Sequence, residues 1–165
     1  MADRTISERL QPSLLDRLTD HEPDVLTETR QDRVINERRL KEILQRDLGW
    51  LLNTNNHETL LDGDAMPNVV KSTVNYGVRE VAGEMSSFER AQEIRKMIHI
   101  AIERFEPRIL PGSIDVEYRA DVDSGDAIVS YDIRADMWAQ PMPLELFLRS
   151  EVNVATGELK LERKN

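Results

Sequence analysis

An α+β fold, with N-terminal helices packed on one face of a small antiparallel β-sheet of about four strands, is expected from three features of this 165-residue chain. Apolar residues recur at spacings of three and four in two long segments, 34–53 and 88–105. From Ile114 onward they alternate one by one with charged residues. Between the two regimes stands Phe105-Glu106-Pro107-Arg108, where the period changes from helix to strand. Helices first and strands later make a layered α+β arrangement.

The first segment, residues 1–32, reads as a flexible, acidic N-terminal arm, and residues 33–165 as one domain. The arm carries one apolar cluster, Leu10, Leu14, Leu15 and Leu18, which fits one face of a short helix. Such a helix is too short to be stable alone. Two readings stand: an idle terminus, or a docking segment that orders on a partner. A long helix is expected over Val34–Asn53, with Leu40, Ile43, Leu44, Leu48, Leu51 and Leu52 as its buried stripe and Trp50 at the rim. Residues 54–67 are rich in turn formers, Asp62-Gly63-Asp64 among them. A short helix over Asn68–Tyr76 would end at Gly77. Ser86-x-x-Glu89 has the spacing of a capping box and would start the helix that runs to Phe105. Ala91, Ile94, Met97, Ile98, Ala101, Ile102 and Phe105 line its inner face, with Arg90, Glu93, Arg95, Lys96 and Arg104 mostly outward.

Pro107 closes that helix, because it lacks a backbone donor and drives Glu106 out of helical geometry. Ile114–Val122 and Ala127–Met137 then form a hairpin about the turn Asp123–Asp126. Pairing Val122 with Ala127 puts Ala120 opposite Val129, Tyr118 opposite Tyr131 and Val116 opposite Ile133, all on one face. On the other face Asp115 meets Arg134, and Glu117 meets Asp132, a like-charge pair that Arg119 and Arg134 flank diagonally. A slip of one residue would turn the apolar set outward, so the register is strongly specified. Leu144, Leu146, Leu148, Val152 and Val154 form the third strand. A turn at Thr156-Gly157 would set Val154 against Leu159 in the fourth.

Composition narrows function. Cysteine is absent, which excludes disulfides, thiolate nucleophiles and Cys-based zinc sites. The net charge of −9 repels nucleic acid and anionic lipid, so partners are expected to be proteins. No apolar run has the roughly 20 residues of a membrane span, and the first residues lack the apolar core of a signal peptide. A cytoplasmic protein without nucleic-acid binding or membrane insertion is expected. No carboxylate pair stands in an apolar context that would raise one pKa for glycoside hydrolysis. Asp121–Asp126 superficially matches a calcium loop but has Gly125 at its fifth position and no terminal glutamate, so a hairpin turn is expected. His21, His57 and His99 make no ligand motif. No catalytic residue, metal site or cofactor site is identified. Ile128, Trp138 and Phe147 have the parity of the charged sheet face. A re-phasing of the strand near Pro141 and Pro143 would explain Trp138. For Ile128 and Phe147 a partner-binding patch competes with that explanation. Glu106 and Arg108 read from chemistry alone as a solvated pair at a helix exit, or as a local salt bridge worth little.

Four stretches in order, PSLLDRLTD at 12–20, RDLGWLLNT at 46–54, VVKSTVNYG at 69–77 and FEPRIL at 105–110, resemble the TssE family of type VI secretion baseplate subunits. The closing stretch LELFLRSEVNVATGEL at 144–159 is similar as well. TssE belongs to the lysozyme-like wedge family of contractile phage baseplates. The resemblance implies a structural protein rather than an enzyme, one that docks in the baseplate wedge and starts sheath polymerisation by offering a sheath-like sheet edge. Implied partners are wedge proteins of the TssF, TssG and TssK type and sheath subunits of the TssB and TssC type. The family's Glu-Pro-Arg motif maps onto Glu106, Pro107 and Arg108, which become candidate partner-binding residues beside Leu14, Leu15, Leu18, Ile128 and Phe147. Arg108→Ala is then expected to spare the thermal melt while breaking assembly. A peptidoglycan hydrolase and a regulatory binding module of the same fold are the alternatives.

Overall fold

The computed structural model describes residues 12–20, 23–24, 35–82, 87–119, 128–139 and 142–163. Among them the elements run α1 (Leu14–Leu18), α2 (Glu37–Leu52), α3 (Pro67–Val70), α4 (Phe88–Phe105), β1 (Asp115–Arg119), β2 (Ile128–Met137), β3 (Leu144–Asn153) and β4 (Leu159–Arg163). The strands form one antiparallel sheet in the order β1-β2-β3-β4. The long helices α2 and α4 cover one face, α4 against β1 and α2 against β3 and β4. The α+β arrangement is as expected.

Helix α2 starts at Glu37 rather than Val34, because Asn36 is its cap: the Arg39 amide donates to Asn36 Oδ1 at 2.8 Å. All six stripe residues from Leu40 to Leu52 are buried. Helix α4 begins after Ser87, whose Oγ accepts from the Arg90 amide at 3.2 Å. The cap is therefore Ser87, which shifts the expected capping box by one residue; Ser86 lies outside the described residues. Arg90, expected outward, is buried and reaches Glu93 at 2.5 Å. It sits one turn before Ile94, on the flank of the inner stripe. The single helix expected over Asn68–Tyr76 is instead α3 and a 3-10 turn at Thr73–Asn75. Ser72 explains the break, since its hydroxyl donates to the Val69 carbonyl at 2.8 Å and accepts from the Val74 amide.

Gly77 closes this excursion at φ +115°, and a Cβ there would lie 2.1 Å from the Thr54 carbonyl oxygen. That approach lets the Val78 amide donate to Thr54 O at 2.8 Å, joining the end of α2 to the segment before α4. Asp62-Gly63-Asp64 is a turn, with the Asp64 and Ala65 amides donating to Asp62 Oδ1.

The β1–β2 register is as derived: Asp115↔Arg134, Val116↔Ile133, Glu117↔Asp132 and Tyr118↔Tyr131. Pairings at Ala120 and Val122, the turn Asp123–Asp126 and the loop at 121–126 lie outside the described residues. The like-charge pair is relieved as expected, Arg119 reaching Asp132 at 3.1 Å and Arg134 reaching Glu117 at 3.4 Å. In β3–β4 the partner of Leu159 is Val152, not Val154. Asn153 sets this register: its Oδ1 accepts from the Ala155 and Thr156 amides and its backbone pairs with Glu158 and Gly157. Val154 thereby enters the turn, yet stays buried. No re-phasing occurs at Trp138, which corrects that expectation. Met137 and Ala139 are buried while Trp138 is 59% exposed.

The core joins the stripes of α2 and α4 to Val116, Tyr131, Ile133, Met137, Leu146 and Leu148. Each such large side chain contributes about 1.5–3 kcal/mol by burial. Tyr131, fully buried, donates its hydroxyl to the Ala91 carbonyl at 2.9 Å and so pins α4 to the sheet.

Gly77→Ala will cost about 3 kcal/mol in urea unfolding, because the added methyl both meets Thr54 O and strains φ. A loss below about 1 kcal/mol would show that the excursion between α2 and α4 can shift freely.

Candidate docking site

The corner after α4 is built by three local constraints. The Glu106 amide still donates to Ile102 O at 2.9 Å, completing the last helical turn. Pro107 has no amide hydrogen and ends the helix there. The chain then lies along β2: Trp138 N donates to Arg108 O at 2.7 Å, and Leu110 N donates to Asp136 O at 2.8 Å. Ile109 bridges Met137. The corner is thus welded to the sheet on the same side of β2 as β1.

This geometry turns Glu106 inward, to 5% exposure. Arg108 follows it. Arg108 Nε donates to Glu106 Oε1 at 2.7 Å, Nη2 to Glu106 Oε2 at 2.5 Å, and the Arg108 amide to Oε1 at 3.1 Å. Pro107, between them, is exposed. Arg108 Nη2 also reaches Asp47 Oδ2 on α2 at 2.7 Å. Asp47 in turn takes Arg46 Nη2 at 2.7 Å, and Arg46 holds Asp16 of α1 through Nη1 at 2.7 Å and Nη2 at 3.0 Å. Ser13 donates its hydroxyl to Asp16 as well. The result is one chain of charges, Asp16–Arg46–Asp47–Arg108–Glu106, which ties arm, helix layer and corner together. Three carboxylates and two guanidiniums alternate along it, and the nearby Arg39 adds a further positive charge at the Asp16 end.

The pair Glu106–Arg108 is therefore a local salt bridge rather than a solvated helix exit, and the burial of Glu106 sets it apart from a weak surface pair. The hydrogen bond from Arg46 holds the Asp16 carboxyl at about 2, below the usual carboxylate range, against burial that would raise it. Burial would lower the Arg108 guanidinium, but Glu106 and Asp47 more than offset this and hold it above its ordinary value. Asp16, Arg46 and Asp47 were not singled out by sequence reasoning. One signal was available: Asp47 lies on the flank of the buried stripe, four residues after Ile43 and before Leu51, where a carboxylate needs a cation.

The remaining candidates divide into two places. Leu14, Leu15 and Leu18 are 70%, 49% and 74% exposed on α1, at the Asp16 end of the charge chain. Trp50 is exposed near it too. Trp50 lies under the Arg46 guanidinium at 4.8 Å; Trp138 donates its amide to Arg108 O, but its side chain, between buried Met137 and Ala139, belongs to the outer sheet face. Ile128 and Phe147 lie elsewhere, on the sheet face away from the helices. Phe147 pairs with Arg134, whose guanidinium covers its ring at 5.3 Å, and Ile128 stands six residues along β2 from Arg134. At about 3.4 Å per residue that is roughly 20 Å, too far for one small patch. Leu10 lies outside the described residues. Among the described residues no cluster of acidic or histidine side chains is arranged to hold a metal ion.

Arg108→Ala will destabilise the protein by about 3 kcal/mol in urea unfolding, since it strands a buried carboxylate. This replaces the expectation of an unchanged melt; a shift under about 0.5 kcal/mol would mean that water solvates Glu106. Acid releases α1. The Asp16 carboxyl titrates near 3.8 when unfolded and at about 2 when folded. Its contribution is complete above about pH 5 and fades as the pH falls through about 4 to 2. Trp50 fluorescence in Trp138→Phe will report that transition, and Asp16→Asn will abolish it; a transition centred above about pH 4 would contradict the assignment.

A protein-family model for the baseplate wedge protein gp25 matches residues 38–142. This span holds α2, the excursion to Gly77, α4, the corner and the first two strands. No curated protein and no solved structure matches the chain. Among the described residues no helix is long and apolar enough to cross a membrane. The match covers most of the chain, and the wedge resemblance carried by Glu106-Pro107-Arg108 agrees with it: the chain belongs to the gp25 family of baseplate wedge proteins, structural components of phage-like contractile machines.

Proposed function

We propose that the chain is a TssE-type, non-catalytic subunit of a type VI secretion baseplate. It docks to wedge proteins of the TssF, TssG and TssK type and starts the sheath of TssB- and TssC-type subunits from its sheet edge. The observation that carries the docking role is the charge chain from Asp16 to Glu106 together with the apolar groups around it. Leu14, Leu15, Leu18 and Trp50 are large, exposed and held beside a rigid polar frame. Interface hot spots have this composition, with tryptophan and arginine at their centre.

Glu106, Pro107 and Arg108 act in this reading as the frame more than as the contact. Their buried pairing fixes Arg108 against Asp47, and that places α2 and α1 relative to the corner. Preorganisation lowers the ordering cost of association. Ile128 and Phe147, on the opposite face, lie outside this docking surface.

Replacing Leu14, Leu15 and Leu18 together by Ser will leave stability within about 0.5 kcal/mol, as expected for exposed positions. Co-purification with the wedge proteins will fall at least about tenfold, the loss of one hot-spot contribution. Undiminished co-purification would remove α1 from the interface.

A further inference from the structure

The two edges of the sheet are not equivalent. In an antiparallel pair, the backbone groups of alternate residues point away from the neighbour. On β4 these are the groups of Leu159 and Leu161, and three of the four are held by Gln45 of α2 and by Asn53, the residue that caps its C-terminus. Asn53 Nδ2 donates to Leu159 O at 2.8 Å, and the Leu159 amide donates to Asn53 Oδ1 at 2.9 Å. Gln45 Nε2 donates to Leu161 O at 2.9 Å. The Asn53 amide pairs with Leu159 just as another strand would. The β4 edge is largely covered by side chains of α2 and its C-cap.

On β1 the outward groups are those of Val116 and Tyr118. Arg95 of α4 donates to the Val116 carbonyl. Among the described residues no hydrogen bond occupies the Tyr118 amide, the Tyr118 carbonyl or the Val116 amide. Beside this edge stands Phe88, 68% exposed, its ring edge-on to Tyr118 at 6.1 Å. Asp115 and Glu117 line the other face of β1, Glu117 exposed.

We infer that the β1 edge, not the β4 edge, receives an extended segment of a partner chain as a fifth strand. Three free backbone groups supply the pairing, and the side chains set the sequence of the guest. The guest residue opposite Tyr118 points toward the helix layer and meets Phe88, so it is apolar. On the outer face its immediate neighbours lie opposite Glu117 and Arg119, and a third guest residue lies opposite Asp115; the two that meet carboxylates include at least one Lys or Arg. The Arg95 contact to Val116 is a single flexible cation and gives way to a backbone donor. This inference rests on the sheath-starting role proposed above and assigns its edge.

Hydrogen exchange of the full chain, free and bound to the sheath subunits of the same machine, tests it. The Val116 and Tyr118 amides will slow at least about tenfold on binding, while those of Leu159–Arg163 will not change. The chain has no cysteine, so Glu117→Cys and Glu162→Cys each carry one thiol. A maleimide–succinimide linker will join the Glu117→Cys variant to a guest lysine and leave the Glu162→Cys variant unlinked. Slowing at β4, or linkage from position 162 alone, overturns the choice of edge and leaves the sheath role standing. Sheath binding with neither edge slowed overturns strand addition itself. Failure to bind sheath subunits at all removes both the inference and the role it rests on.

Discussion

A buried carboxylate at the junction between the helices and the sheet governs this structure. Glu106 ends α4, and Pro107 prevents the chain from carrying it outward. At 5% exposure it needs a cation and hydrogen-bond donors. Arg108 supplies both, and its remaining reach goes to Asp47. That single requirement fixes the direction in which the chain leaves α4, the lie of residues 108–110 along β2, and the position of α2 against the corner. Arg46 and Asp16 extend the same logic to the arm.

Helix α2 serves three surfaces at once. Its apolar stripe forms much of the core, Arg46 and Asp47 form the middle of the charge chain, and Gln45 and Asn53 cover much of one sheet edge. These groups fall on successive flanks of one helix because residues three and four apart share a face. The same helix therefore covers much of the β4 edge and frames the proposed docking surface. The two edges of the sheet are thus unequally covered, which suits the proposed start of a polymer better than two open edges would.

Much of this was legible in the sequence. The alternation from Val116 to Met137 determines which side chains face the core, and so the β1–β2 register followed from it residue by residue. The stripe of α2 was legible for the same reason. The β3–β4 register was not, because it depends on how Asn153 folds its side chain onto the turn, a local hydrogen-bond choice with no periodic signature. The break at Ser72 is of the same kind. The motif at 106–108 was visible, but its orientation was not. Whether two neighbouring charges face each other or solvent depends on a third residue, Asp47, which is 61 positions from Arg108 in sequence.

The coupling between Asp47 and Arg108 is the direct measure of this arrangement. A double-mutant cycle with Asp47→Asn and Arg108→Lys, read by urea unfolding, isolates it from the separate effects of each change. If one charge chain holds the corner against α2, the coupling will be at least about 1 kcal/mol. Additivity within about 0.3 kcal/mol would show that the corner stands without it.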